Sequence, residues 1–430
     1  MISPTPFSLL CALMLCLPLA VFFNSSPTAT PVTISAVDAP NSVEFSGEVV
    51  DAHLRPVSAN FTDKLEVGLM QTVTRLNLGS RGDAGVAEED EEGDGVGDSP
   101  LSPPPPSPPP IRVDYEDDYA KLAAAGMVDS RPRRPFKVAF MFLTTGALPF
   151  APLWEAFFRH APAKLYNVYV HADPLTNSSA FSGVFANKVI DSKPTRRYSP
   201  TLISAARRLL AHALLHDGAN SHFALISASC IPLHSFKFTY KTLTSSRKSF
   251  IEILPNEPGA YERWSARGES AMLPDIPFEI SRIGSQFWVL TRRHARTVVR
   301  DRRMWARFKQ DCTRWYDCYP EESYFPTLLS VRDEKGCVPA TLTHVDWGGR
   351  VDGHPRSYAV EEVDEELIRR LRSERPRYGD EAVTEEESVM GNVSDSGLAK
   401  RWHPFLFARK FEPEALGALM GIASGVILKD

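Results

Sequence analysis

KVAFMFLT, residues 137–144, is an apolar run with one charge at its start and Gly146 just beyond its end. Such a run before a turn residue is typical of a strand buried on both faces of a sheet. Strand and helix patterns alternate around it: strands over residues 165–171 and 223–227, helices over residues 153–159 and 201–216. This alternation predicts an α/β fold with a doubly wound, largely parallel sheet.

The second half of the domain carries further patterns of both kinds. Residues 249–254, 286–290 and 340–347 predict more strands, and residues 292–308 predict a basic amphipathic helix. The predicted architecture is therefore a Rossmann-type, doubly wound mixed sheet in one domain over residues 136–430.

The N-terminal part has a different composition. Residues 7–23, FSLLCALMLCLPLAVFF, contain no charge and predict a transmembrane signal anchor behind a short cytosolic head, residues 1–6. A cleaved signal peptide is the alternative, because the run is near the lower length limit for a spanning helix. Residues 24–135 carry an acidic run and the segment SPPPPSPPP, and they predict a disordered stem. Residues 136–430 are then expected in the lumen, as in a single-pass type II membrane protein.

Charge and cysteine content narrow the classes of function. The net charge is -5 over 430 residues, with basic and acidic residues interspersed, so no nucleic-acid partner is expected. Four Asn-x-Ser/Thr sequons fit a glycosylating lumen: Asn24, Asn60, Asn177 and Asn392. An oxidising lumen permits one or two disulfides among the cysteines outside the anchor, Cys230, Cys312, Cys318 and Cys337. The sequence leaves the pairing open.

Polar residues follow three of the predicted strands. They are the segments 144–146 (TTG), 171–173 (HAD) and 227–230 (SASC). Ligands of open α/β sheets bind at the carboxyl ends of the strands, so these segments are candidates for a binding site. Asp173 could contact a nucleotide ribose or base, and the alternative is that Asp173-Pro174 is only a turn.

Two adjacent carboxylates begin an apolar helical stretch in the segment YPEESYFP. Glu321 and Glu322 occupy its first turn, where acidic residues commonly complement the helix dipole. The functional alternative is that one of them serves as a general base on a sugar hydroxyl. Local sequence alone favours the helix-dipole interpretation.

Several blocks in a fixed order resemble the plant branch of the core-2/I-branching β-1,6-N-acetylglucosaminyltransferases, glycosyltransferase family 14. The blocks are KVAFMFLTTGALPFAPLWEAFF, LYNVYVHADP, FALISASCIPL, FIEILPNEPGAYERW, CYPEESYFPTLL, TLTHVDW, HPRSY and FLFARKF. They cover residues 136–412. The resemblance implies a GT-A-like fold, a Golgi membrane location, a UDP-sugar donor and a glycan or glycoprotein acceptor.

The resemblance also implies roles for individual residues. Glu322 matches the catalytic base, with Glu321 as its acidic neighbour. Arg356 in HPRSY and Lys410 in FARKF match the cations that neutralise the leaving diphosphate. The implied acceptor contacts are Glu252, Arg263 and Trp347, although a Trp that ends a strand is more often a core residue.

These implications describe an inverting transfer without a cofactor or divalent metal. Negative charge that develops on the diphosphate needs a cation, and no Asp-x-Asp motif ends a predicted strand, so the Arg and Lys pair is the consistent substitute. A retaining glycosidase would need two carboxyl groups about 5 Å apart, which suits adjacent helical glutamates poorly. N-acetylglucosamine transferred in a β-1,6 linkage is the expected chemistry.

Two departures from the family pattern affect the acceptor. Ser323 stands where many relatives have His, and the spacing between HVDW and HPRSY is shorter than in the animal enzymes. The acceptor loop must therefore differ. The alternatives to this transferase are a catalytically silent carbohydrate-binding protein of the secretory pathway and a transferase of another UDP-sugar.

Overall fold

The computed structural model describes residues 118–255, 257–348, 354–381 and 401–430. The predicted cytosolic head, the transmembrane anchor and most of the predicted stem lie outside these residues. Within the part that is described, no helix is long and apolar enough to cross a bilayer.

The described residues contain the following elements. The strands are β1 Lys137–Leu143, β2 Tyr166–His171, β3 Asn220–Ser227, β4 Ile231–Pro232, β5 Ser249–Phe250, β6 Val289–Thr291, β7 Cys337–Val338, β8 Thr343–Val345 and β9 Phe407–Arg409. The α-helices are α1 Asp118–Met127, α2 Ala151–Phe158, α3 Thr201–His216, α4 Phe236–Ser245, α5 Ala260–Ser265, α6 Arg292–Arg300, α7 Arg303–Phe308, α8 Pro320–Asp333, α9 Glu365–Ser373 and α10 Leu416–Ile422.

The described strands form a mixed α/β architecture with a parallel-rich sheet. A six-stranded sheet has the order β2-β1-β3-β6-β5-β7, in which β1 is parallel to β2 and β3, and β5 is parallel to β7. Strand β6 is antiparallel to its neighbours β3 and β5. A smaller sheet of order β4-β9-β8 joins β9 antiparallel to β4 and parallel to β8. The prediction of a mixed α/β sheet is confirmed, and the arrangement is consistent with a GT-A-like fold.

Strand β1 shows why its apolar run has no polar alternation. Val138, Phe140 and Phe142 pack in one core cluster with α2, and Ala139 and Met141 pack in a second cluster with α3. A strand covered on both faces needs apolar residues at every position. The sheet therefore ends in loops at its carboxyl edge, where polar side chains can face solvent.

Two predicted boundaries differ from the structure. Residues 118–127, inside the predicted stem, form helix α1, whose Leu122 and Ala125 are buried against the domain. The single helix predicted over residues 292–308 is two helices, because the Asp301 carboxylate accepts hydrogen bonds from the N–H groups of Met304 and Trp305 and starts α7.

The cysteines resolve one of the open questions. Cys312 and Cys318 form a disulfide that closes the loop immediately before α8. Cys230 and Cys337 are free and buried.

Candidate active site

A cleft of about 1010 Å³ lies at the carboxyl edge of the main sheet. Thr144 and Thr145 after β1, and Ser227 to Ser229 at the end of β3, form part of its wall. The N-terminal turn of α8 and the ends of β8 and β9 complete the wall. Two of the three strand ends predicted from the sequence therefore meet in one site, as expected for an open α/β sheet.

Glu322 lies in the first turn of α8 and lines this cleft. Its Oε2 accepts a hydrogen bond of 2.6 Å from Nη1 of Arg263, and the Arg263 guanidinium lies 4.6 Å above the Tyr319 ring. Oε1 has no hydrogen-bond partner within the described ranges. The carboxylate is thus oriented by an arginine on one oxygen, while the other can accept a proton from a hydroxyl in the cleft.

Glu321, the adjacent carboxyl, has a different environment. It is 6% exposed, and its Oε2 finds no hydrogen-bond partner in the described part of the chain. Burial and, to a smaller extent, the charge of Glu322 raise the pKa of Glu321 to about 8. At neutral pH the pair therefore combines a predominantly protonated Glu321 with a neighbour that is paired to arginine.

Gly284 sets the distance between α8 and the segment that carries Glu252. Its N–H donates a 2.9 Å hydrogen bond to the carbonyl oxygen of Glu322. A Cβ at this position would lie 2.0 Å from the carbonyl oxygen of Glu252, which is closer than any real contact. Only glycine fits here without moving the backbone.

Glu252 lines the cleft together with Arg377. Arg377 Nη2 lies 3.5 Å from Glu252 Oε1, and Arg377 Nη1 lies 3.0 Å from Glu257 Oε1. Burial raises the pKa of Glu252, and the charge of Arg377 opposes that rise. These residues make one wall of the cleft both charged and rich in hydrogen-bonding groups.

Trp347 is 55% exposed and lines the cleft just beyond β8. The alternative of a core tryptophan is therefore wrong. An exposed indole in a polar cleft offers an apolar face on which a sugar ring can stack.

The two predicted donor-binding cations, Lys410 and Arg356, have different surroundings. Lys410 lines the same cleft as Glu322. Arg356 is not part of the cleft lining, and its guanidinium is engaged by two carboxylates, Asp346 Oδ2 at 2.9 Å and Glu362 Oε1. Its chain segment lies beside Lys410, whose carbonyl accepts the N–H of Tyr358.

Asp173 also lies outside the described cleft lining. Its Oδ1 accepts a 2.9 Å hydrogen bond from the N–H of Leu175, and its carbonyl accepts one from the N–H of Thr176. These contacts are those of a turn, the alternative given for Asp173-Pro174. A nucleotide contact for Asp173 stays a prediction.

Sequence similarity places this chain in a known family. A family model described as "Core-2/I-Branching enzyme" matches residues 138–372. The chain belongs to the core-2/I-branching enzyme family. It is also 31% identical over 322 residues to glycosyltransferase BC10 of rice, Oryza sativa subsp. japonica, in a match that covers 67% of the chain and 77% of the rice protein.

Membership of the core-2/I-branching family confirms the predicted resemblance and identifies the chain as a glycosyltransferase. It implies a nucleotide-sugar donor and a glycan acceptor. The roles of individual residues are not decided by this match and remain predictions.

Four arginines of the cleft were missed by the sequence analysis: Arg197, Arg375, Arg377 and Arg409. Arg197, from the loop before α3, and Arg409, at the end of β9, both line it. Neither stands in a local pattern that suggests a ligand. Arg197 is one of several basic residues in KPTRRY, and Arg409 directly precedes Lys410, which was the cation predicted in this block. Only the tertiary fold brings them into the same cleft as Glu322.

Within the described ranges, no group of three or more His, Cys, Asp or Glu side chains is arranged to hold a metal ion. The cations that line the cleft are Arg197, Arg263, Arg375, Arg377, Arg409 and Lys410.

Proposed function

We propose that this enzyme transfers N-acetylglucosamine from a UDP donor to a hydroxyl of a glycan or glycoprotein, with inversion and without a divalent metal. The observation that carries the proposal is the Glu322 carboxylate in the cleft, with Oε2 on Arg263 and Oε1 open to an acceptor. Glu322 deprotonates the acceptor hydroxyl, which attacks the anomeric carbon opposite the diphosphate.

The cations of the cleft support the absence of a metal from this scheme. Negative charge develops on the leaving diphosphate, and fixed cations that face it stabilise the transition state. Lys410 lies in the cleft, where its charge can meet that of the diphosphate, whereas the Arg356 guanidinium is held by Asp346 and Glu362. The β-1,6 linkage is part of the proposal, and the family resemblance supports it.

We also propose that the enzyme acts in the Golgi lumen as a single-pass type II membrane protein. The apolar run at residues 7–23 supports the anchor, although it lies outside the described residues. The Cys312–Cys318 disulfide supports an oxidising compartment, because disulfides are rare in the cytosol.

UDP release by the purified full-length protein tests the proposed reaction. The protein is incubated with a panel of UDP-sugars and glycan acceptors in the presence of EDTA. We expect acceptor-dependent release with UDP-N-acetylglucosamine, and a fall in kcat of about 10²- to 10⁴-fold for Glu322→Gln, since a general base contributes that much.

Glu374→Gln is the matched control. Glu374 also lines the cleft, and its Oε2 accepts a hydrogen bond from His344 that a glutamine oxygen can replace. It should retain kcat. Release that EDTA abolishes would contradict the metal-free scheme, and binding of donor and acceptor without release would identify a silent binding protein.

A further inference from the structure

The loop after β2 carries a feature that the proposed function does not use. Residues 177–179 read Asn-Ser-Ser, which is an N-glycosylation sequon. Of the four sequons in the chain, this one lies within the described residues, whereas Asn24, Asn60 and Asn392 lie outside them. Its surroundings therefore show whether the folded protein has room for a glycan at this position.

The Asn177 side chain leaves room for an attached glycan. The residue is exposed, and its Oδ1 accepts a 3.0 Å hydrogen bond from the N–H of Ser179. Its Nδ2, the atom to which an N-linked glycan is attached, donates no hydrogen bond to a described residue. The amide oxygen is thus held by the backbone, while the amide nitrogen stays available for a bond to a sugar.

The backbone of this loop is held independently of that nitrogen. The N–H of Thr176 donates to the Asp173 carbonyl at 2.8 Å, and the N–H of Ala180 donates to the Asn177 carbonyl at 3.0 Å. Leu175 is 95% exposed, so the loop projects into solvent instead of packing against the core. The folded loop can therefore carry a bulky, hydrated group without losing core contacts.

The same loop contacts the wall of the cleft. The Thr176 hydroxyl donates a 3.2 Å hydrogen bond to the carbonyl oxygen of Thr145, and Thr145 lines the cleft. Asn177 is the next residue along the chain. A glycan attached to it therefore begins one residue away from a contact with the cleft wall.

We propose that Asn177 carries an N-linked glycan that stands at the rim of the cleft. The modification forms a bond between Nδ2 and the anomeric carbon of an oligosaccharide that is supplied as a lipid-linked diphosphate. The bond from that carbon to the diphosphate oxygen breaks, the lipid diphosphate leaves with the electron pair, and Nδ2 loses one proton. This inference rests on the proposed lumenal location, because sequons are modified in proteins of the secretory pathway.

Peptide mapping of the full-length protein, produced in a eukaryotic secretory cell, tests the modification. A peptide N-glycosidase releases the glycan and converts the asparagine that carried it to aspartate. We expect aspartate at position 177 in the treated wild type. Ser179→Ala removes the sequon and should leave asparagine there, whereas Ser179→Thr is the matched control that keeps the sequon and should keep the glycan.

Kinetics with two acceptors test the position at the rim. Ser179 does not line the cleft, so Ser179→Ala should release UDP with a small glycan acceptor as the wild type does. With a glycoprotein acceptor its KM should fall below that of the wild type, because no glycan then obstructs a large molecule beside the cleft. Ser179→Thr should match the wild type with both acceptors.

Two outcomes would overturn the inference. One is unmodified Asn177 in a protein whose domain is protected from protease inside intact vesicles, since the location would then be right and the modification wrong. The other is an equal KM of Ser179→Ala and the wild type for the glycoprotein acceptor, which would place the glycan away from the cleft. Digestion of the domain by protease outside the vesicles would instead refute the lumenal location, and the absence of UDP release with every donor would refute the proposed reaction.

Discussion

At the scale of single residues, the adjacent glutamates show how burial separates two identical side chains. Glu322 forms an ion pair with Arg263, with 2.6 Å between Oε2 and Nη1. Glu321 is buried, and its Oε2 has no hydrogen bond in the described part of the chain. Burial raises the pKa of Glu321 from 4.5 to about 8. Glu321 is therefore predominantly protonated at neutral pH beside the carboxylate that is proposed as the base.

Glu321→Gln should therefore change how stability depends on pH. The wild-type pKa is raised in the folded state, so folding retains a proton that the unfolded chain releases between about pH 4.5 and pH 8. Over that range this group lowers the free energy of unfolding by up to about 1.4 kcal/mol per pH unit as the pH rises. Glutamine removes the dependence, and urea denaturation from pH 5 to pH 8 measures it.

The decisive quantity is the difference in unfolding free energy between Glu321→Gln and the wild type. It should shift in favour of the variant as the pH rises. Glu366→Gln, on the exposed face of α9, should stay within about 0.5 kcal/mol of the wild type. A difference that stays constant from pH 5 to pH 8 would show that Glu321 is ionised throughout.

At the scale of elements, helix α8 is fixed by a buried polar network behind the cleft. The Tyr324 hydroxyl donates to Asp301 Oδ2 at 3.0 Å and accepts from Arg207 Nη1 at 3.1 Å. Arg207 also donates to the Asp301 carbonyl at 2.7 Å. The network joins α3, the α6–α7 junction and α8, and so holds the helix whose first turn carries Glu322.

Tyr324→Phe should destabilise the protein by about 1 to 3 kcal/mol. The change removes only the hydroxyl and leaves a buried guanidinium N–H and a carboxylate oxygen short of a partner. Urea denaturation at neutral pH measures the loss. Tyr316→Phe is the control, because Tyr316 is 44% exposed on the disulfide loop and should change stability by less than about 0.5 kcal/mol. Equal stability of Tyr324→Phe and the wild type would mean that the network contributes nothing net.

The elements also show what the sequence could and could not predict. Long patterned segments such as helix α3, residues 201–216, and strands β1 to β3 were predicted, because the spacing of their apolar residues indicates which positions are buried. Strands β4, β7 and β9 were not predicted, because two or three residues carry no period of their own. Strand β5 is as short and was predicted only as part of the longer run 249–254.

The site divides in the same way. Glu322, Lys410 and Trp347 were identified as site residues through the family blocks, and they line one cleft. Gly284 and four of the cleft arginines, Arg197, Arg375, Arg377 and Arg409, were missed, because contacts between distant segments place them in the site. The position of Arg356 outside the cleft lining could not be predicted either, since one of its partners, Glu362, lies beyond the matched HPRSY block.

At the scale of the whole molecule, helix α1 adds residues 118–127 to the described part of the domain. Asp118 forms an ion pair with Arg208 on α3 through a 2.7 Å hydrogen bond from Nε. Arginines of α6 bind the other end of α1: Arg296 donates to the Gly126 carbonyl at 3.1 Å, and Arg292 donates to the Asp129 carbonyl at 2.7 Å. Cations at a helix C-terminus satisfy its last carbonyls. Helix α1, which falls inside the predicted stem, is thus bound to the domain at both of its ends.

A fragment that spans residues 112–430 should therefore melt at a higher temperature than one that spans residues 136–430, because the shorter one loses the burial of Leu122 and Ala125.

Asp118→Ala in the longer fragment should lower the free energy of unfolding by about 3 to 5 kcal/mol, since it leaves Arg208 buried without its counter-ion. Asp129→Ala is the matched control, because Asp129 is exposed and binds Arg292 through its backbone. Thermal melting of the four proteins measures both effects. Equal melting temperatures for the two fragments would show that α1 does not stabilise the domain, and would support the predicted domain boundary at residue 136.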